Sequence, residues 1–296
     1  MTRIIAATGR PPSSPARRVG NRIRRLASRI GSHAFLLLYS VIVIVPIALI
    51  VMNAFKGKIA LFNDPLGLPI GDAFSLQGFQ TVFASGNVPI HFYNSLVVTI
   101  GTLVLVLVTG SMAAFALGSL HFRGSRVLAL FLTIGIMIPI RLGTVRILTM
   151  MVSLGLVNTL AALIIVYTAQ SLPVVVFVLT QFFAEVPKDL LDAARVDGAS
   201  HYRVYRLVLP LVTPAMATAA ALTMIPVWND LWWPLILAPR DATQTVTLWA
   251  QQFLGQYQND WNATISALTM AAVPVLIIYA LLSRQLIRGL MSGAVK

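Results

Sequence analysis

Six long apolar runs leave this chain few ways to fold. They cover residues 34–52, 95–117, 127–149, 160–183, 211–231 and 263–282. As a helix, a run of this length spans about 30 Å, the depth of a bilayer's hydrocarbon. With 57% hydrophobic residues, only 10% charged residues and a mean hydropathy of +0.83, the chain lacks the polar surface of a soluble fold. The expectation is an all-α membrane protein of six transmembrane helices. The absence of cysteine excludes disulfides, thiolate nucleophiles and Cys-ligated metals.

The net charge of +13 suits a nucleic-acid binder only until its distribution is considered. Eight arginines and no acids precede Ser32, alongside Pro11, Pro12 and Pro15. Such a tail before an apolar run is a cytoplasmic flank under the positive-inside rule. Residues 1–32 therefore read as a basic tail and 33–296 as a transmembrane domain. No small-residue cleavage site follows the first run, so it reads as a retained span rather than a signal peptide. Six spans then put both termini in the cytoplasm. Arg123, Arg126, Arg284, Arg288 and Lys296 fall on that side. The opposite side mixes Lys56, Lys58 and Arg240 with Asp64, Asp72, Asp241 and Asp260.

Interruptions matter as much as runs. The outer connection at 57–91 is rich in Gly, Pro and Asn and reads as irregular, with one short helix. Pro139, followed by Arg141 and Arg146, should kink the third run. The fifth run ends in Pro226, Trp228, Asn229 and Asp230, with Trp232, Trp233 and Pro234 behind, an interrupted helix end. Its tryptophans suit a membrane-interface belt.

One hydrophilic stretch breaks the apolar sequence: EVPKDLLDAARVDGASHYRVYRLVLP, residues 185–210, with four acidic and four basic residues. Pro187 suits a first helical turn, and Asp189 and Asp192 complement the dipole of its early turns. Leu190, Leu191, Ala194 and Val196 supply apolar faces. Gly198 permits a sharp turn, and Ser200 can cap a second helix. Tyr202, Tyr205, Leu207 and Leu209 give that helix an apolar side. The expected product is a rigid helix–turn–helix across the cytoplasmic membrane face, able to pass a soluble partner's movement to the spans at both its ends.

These residues carry a resemblance. Asp192-Ala193-Ala194, then Asp197-Gly198-Ala199, then Leu209-Pro210 matches, with its spacing, the E-A-A, D-G-A, L-P loop of ATP-binding-cassette importer permeases. The departure is Asp192, where the family prefers Glu; the charge is kept and its reach shortened. Later segments resemble carbohydrate permeases of the maltose type. These are Leu154-Gly155-Leu156 with Asn158-Thr159, Trp228-Asn229-Asp230 with Trp233-Pro234-Leu235, and Gly255-Gln256-Tyr257 with Asp260-Trp261. Pro274, Arg284-Gln285, Arg288-Gly289-Leu290 and Gly293-Ala294-Val295-Lys296 complete the set and resemble the second permease subunit of the pair.

The resemblance implies a type-I importer topology in a bacterial inner membrane. It implies a heterodimer with a second permease, two ATPase subunits below, and a sugar-binding protein on the other side. ATP and Mg would be used by the ATPase, with no cofactor bound by this chain. The loop at 185–210 would dock in a cleft of the ATPase through Asp192, Ala193, Ala194, Asp197, Gly198, Ala199, Leu209 and Pro210, and the tail from Arg284 to Lys296 would reach the ATPase pair.

Other chemistry has little support. There is no phosphate-binding G-x-x-x-x-G-K and no H-E-x-x-H, and His33, His91, His121 and His201 are scattered as polar or interface residues. Arg141 and Arg146 would line the translocation path and attract an anionic sugar, or would snorkel to headgroups or pair with the other permease. Asn229 and Asp230 would line the path or cap the fifth span. Trp228, Trp232 and Trp233 fit a belt better than stacking on sugar rings. Alternatives in substrate are a polyamine, a phosphorylated polyol or an anionic sugar derivative. A secondary transporter would need internal repeats and charged ion sites inside spans, of which the chain shows few.

Overall fold

The computed structural model describes residues 15–120, 122–254 and 260–294. Helix dominates it, and among the described residues the one β-type pairing is an isolated bridge between Lys56 and Phe74. Helix α1, Pro15–Ala54, starts well inside the basic tail, so the expected boundary at residue 32 falls within a continuous helix. Its apolar part stands apart from the bundle: residues 30–51 are exposed or half-buried throughout. At its outer end, Ser266 Oγ donates to Ala54 O (3.3 Å), and just beyond it Asn262 Nδ2 donates to Lys56 O (2.6 Å).

The outer connection is more ordered than its composition suggests. It holds α2 (Lys58–Asn63) and α3 (Gln77–Ala84), separated by a 3₁₀ turn at Gly71–Ala73. Lys56 is buried at 1% exposure, and its ammonium donates to Asp64 O (2.7 Å). Backbone bonds from Gly57 N to Ala73 O (3.1 Å) and from Ser75 N to Phe55 O (2.9 Å) fold the segment back on itself. Glycine and proline here shape a compact cap rather than a slack loop.

Helix α4, Val88–Ser119, begins seven residues before the apolar run that marks it, because His91, Asn94 and Ser95 are buried against the loop at 238–246. Asn94 Nδ2 donates to Ala242 O (3.0 Å) and Gln244 O (2.9 Å), and Ser95 Oγ accepts from Val246 N (2.8 Å). His91 is fully buried, stacked on Trp249 at 5.1 Å and 3.6 Å from an Asp241 carboxylate oxygen. It is a packed residue and not one of a scattered polar set.

The third run is not one straight span. Helix α5, Ser125–Met137, ends before Pro139, and α6, Thr144–Ser153, follows a 3₁₀ turn at Ile140–Gly143. The two halves meet at 85°. The expected kink is therefore a full break. Proline cannot donate to the preceding turn, and its φ suits the extended exit seen there.

Helix α7, Leu160–Ala184, packs along the length of α4 as the central pair of the bundle. Their approach is set by small residues. A Cβ on Gly118 would lie 2.7 Å from Thr180 O and 3.1 Å from Ala184 N, both backbone atoms that cannot step aside. After the hydrophilic stretch come α8 (Lys188–Val196), α9 (His201–Val208), α10 (Thr213–Asn229), α11 (Trp232–Leu237), α12 (Val246–Ala250) and α13 (Trp261–Ala294). Five helical stretches, plus α5 with α6 as a bent pair, are long and apolar enough to cross a membrane, which agrees with six spans.

Candidate functional site

The first candidate site is the α8–α9 unit. Helix α8 ends in a glycine-dependent turn: Gly198 has φ +76°, Gly198 N donates to Arg195 O (2.9 Å), and Ala199 N donates to Ala194 O (3.0 Å). This is the paired-bond ending that uses left-handed backbone to satisfy terminal carbonyls. Ser200 Oγ then accepts from Arg203 N (3.4 Å) and starts α9. A helix stop and a helix start thus fall within three residues, which makes the turn stiff.

The inward face of this unit is apolar and packed. Leu191, Ala194, Val204 and Val208 are buried with Phe115 of α4 and Val176, Leu179 and Phe183 of α7. Phe115 meets Phe183 edge-on at 5.6 Å and Tyr205 at 5.5 Å. The Tyr205 hydroxyl shares a hydrogen bond with Ser111 Oγ (2.8 Å), and Ser119 Oγ donates to Phe183 O (3.2 Å). The buried side of α9 is therefore Val204, Tyr205 and Val208, while Tyr202 and Leu207, read from sequence as part of its apolar side, are exposed. On α8, Leu190 and Val196 are likewise exposed.

Each motif residue now has a place. Asp192 is exposed and bonds Arg195 of its own helix (3.1 Å). Ala193 and Asp197 are exposed, Ala194 is buried, Gly198 forms the turn, and Ala199 is half-buried. Leu209 and Pro210 form a 3₁₀ turn at Leu209–Val212 that leads into α10, and Leu209 packs on the same core. The outward side thus carries Val196 at 87% exposure and Tyr202 at 59%, with Asp192, Asp197, Arg203 and Arg206 also exposed and the Arg206 guanidinium 5.8 Å from the Tyr202 ring centre. It is an apolar tip with a charged rim.

The second candidate site lies where two helices break. Asp230 sits between α10 and α11. Its Oδ2 accepts from Trp233 N (3.0 Å) and from the Tyr167 hydroxyl (2.9 Å), and its Oδ1 is 3.4 Å from Arg141 Nη2. Asp230 ends α10 as its C-terminal cap residue, and its carboxylate also serves the first turn of α11. The Arg141 guanidinium lies 5.6 Å from the Trp232 ring centre, and Trp232 Nε1 donates to Thr144 Oγ1 (3.1 Å). Trp233 Nε1 donates to Gln170 Oε1 (2.9 Å). Asn229 is exposed and donates to Ile225 O of its own helix (3.0 Å). Arg146 is exposed and joins none of the ion pairs among the described residues.

The tryptophans divide. Trp228 and Trp233 are buried at 2% and 1% exposure, with Trp228 Nε1 donating to Ala271 O (3.0 Å), so these two are core residues and not a membrane belt. Of the three tryptophans around this break, Trp232 is the exposed one. Tyr167, Gln170 and Thr144 were missed by motif reasoning; the signal was polar side chains inside apolar runs. The motifs at Gly255-Gln256-Tyr257 and Val295-Lys296, and His121, lie outside the described residues, as do residues 1–14 of the arginine-rich tail.

A bundle of membrane helices, interrupted at two spans and carrying a stiff helix pair between two others, is the architecture of a polytopic membrane protein. The chain belongs to the family of binding-protein-dependent transport system inner membrane components, which matches residues 106–291. It is 31% identical to the diacetylchitobiose uptake system permease protein NgcG of Streptomyces coelicolor, over 98% of each chain. It is 29% identical to the arabinooligosaccharides transport system permease protein AraQ of Bacillus subtilis, over 90% of this chain and 96% of that one. A probable starch degradation products transport system permease protein, AmyC of Thermoanaerobacterium thermosulfurigenes, is 30% identical over 87% of this chain and 93% of its own. The fold matches a chain in the crystal structure of a bacterial ABC transporter involved in the import of the acidic polysaccharide alginate. That match has a TM-score of 0.74, covers 93% of this chain and 99% of that one, and has 18% sequence identity.

Proposed function

We propose that this chain is one permease subunit of an ATP-driven, binding-protein-dependent importer of carbohydrate in a bacterial inner membrane. The observation that carries the coupling role is the α8–α9 unit: a stiff turn, anchored on α4 and α7, with an exposed apolar tip and a charged rim. Such a tip suits a cleft on a soluble ATPase, and its anchoring lets movement of the tip act on two spans at once. ATP and Mg belong to that partner; the chain itself binds no cofactor in this reading. The substrate class is supported by the relatives, whose names specify diacetylchitobiose, arabinooligosaccharides and starch degradation products.

A second, homologous permease is a natural neighbour of α1, whose residues 30–51 are exposed or half-buried among the described residues. An extracytoplasmic binding protein would deliver sugar to the side carrying α2, α3 and the loop at 238–246, with both termini in the cytoplasm and lipid around the rest. The test is reconstitution. The chain, its second permease and its ATPase in proteoliposomes, with the binding protein present, should accumulate a neutral oligosaccharide only when ATP is supplied. ATP-independent uptake driven by an ion gradient would overturn the reading.

A further inference from the structure

Arg141 taken alone is suited to an anion: its side chain is 65% exposed beside an interrupted span. The structure gives it a different setting. Asp230, 89 residues away in sequence, is 14% exposed and faces it from the second helix break. A carboxylate this covered needs hydrogen-bond donors and a cation to replace the water it has lost. Tyr167 and Trp233 N supply the donors, and Arg141 supplies the cation. One Arg141 nitrogen is therefore already engaged, and the guanidinium is steered over Trp232. A bidentate grip on a carboxylate or phosphate would have to compete with Asp230.

We propose that Asp230 is a specificity-determining residue: by pairing with Arg141 across the two helix breaks, it cancels the charge that Arg141 would otherwise present to the solute. This rests on the reading of the breaks as part of the translocation path. The solute class that follows is an uncharged, hydroxyl-rich molecule, which can take hydrogen bonds from the outer edge of Arg141 and the amide of Asn229. Removing the Asp230 carboxylate exposes a free cation and turns the same surface toward anions.

The chain contains no cysteine, so one introduced thiol reports on one place. Asn229→Cys puts it beside Asp230 at an exposed position whose own hydrogen bond stays within α10. In membranes carrying the assembled transporter, its labelling rates are read on this chain by mass. The reagents are an anionic, a cationic and an uncharged methanethiosulfonate, each normalised to a free thiol. The expected anionic-to-cationic ratio is near one. Asp230→Asn in this background should raise it by about threefold or more, Arg141→Gln should lower it, and the double variant should return it to the starting value. Arg141→Lys, which keeps the charge, should leave it unchanged. A ratio indifferent to Asp230→Asn and Arg141→Gln overturns the proposal but leaves a watery path. A starting ratio already strongly anionic overturns it too. Labelling by the uncharged reagent alone shows that the break is not in water, which sinks the path reading and the proposal with it. If Asp230→Asn fails to assemble, the Arg141→Gln and Arg141→Lys pair decides: the first must lower the ratio and the second must not.

Discussion

Gly198 is the position where one atom separates two explanations of the α8–α9 turn. Its φ of +76° is left-handed backbone, and a Cβ built there meets nothing within 4 Å. Substitution within this chain therefore carries conformational strain and no clash. For an ordinary L-residue the strain is about 1–2 kcal/mol, a shift of about 5–30-fold in the population holding the turn. Asn tolerates this region best, Ala less well, and β-branched Val least. The ratio of sugar transported to ATP hydrolysed, measured on assembled complexes in proteoliposomes, should fall in the order wild type, Gly198→Asn, Gly198→Ala, Gly198→Val. Membrane insertion should hold in all four, because the anchoring residues Leu191, Val204 and Val208 are untouched. If the Gly198→Asn and Gly198→Val proteins are equally uncoupled, side-chain bulk against a partner is the constraint and the backbone argument is wrong.

Gly118→Val should separate α4 from α7, since its Cβ meets Thr180 O at 2.7 Å; lowered thermal stability of the purified protein checks this, and wild-type stability would contradict it. Tyr205→Phe removes the 2.8 Å bond to Ser111 and should cost about 0.5–1.5 kcal/mol, read as a lower unfolding midpoint with the fold retained. A reporter active only outside the cytoplasm, fused after Lys296, should be silent; activity there would mean an odd number of spans.

Much of this architecture was legible because apolar length and proline position act locally. The runs at 95–117 and 160–183 became α4 and α7, and Pro139 broke the third run where a proline must. The turn at Gly198 was legible for the same reason: an acidic helix start, a glycine and a serine cap lie within one short stretch. What stayed hidden was tertiary. Arg141 and Asp230 are 89 residues apart, and only the fold brings them together. The first turns of α4 look polar, and they are buried because the backbone carbonyls at 242 and 244 satisfy Asn94. Lys56 reads as a loop charge, yet the folded outer cap covers it and hands its ammonium a carbonyl. Trp228 and Trp233 resemble an interfacial belt by composition; partners on α13 and α7 drew them inward.

The coupling role proposed for the α8–α9 tip requires a soluble ATPase to engage this permease there. Val196 stands at 87% exposure on that tip and is the natural place for the only thiol in the chain. A Val196→Cys protein carrying a short photoactivatable crosslinker should, in the assembled and transporting complex, join to the ATPase subunit, and the yield should change when ATP is bound. A complex that still transports while this residue joins only lipid or the other permease would contradict the account.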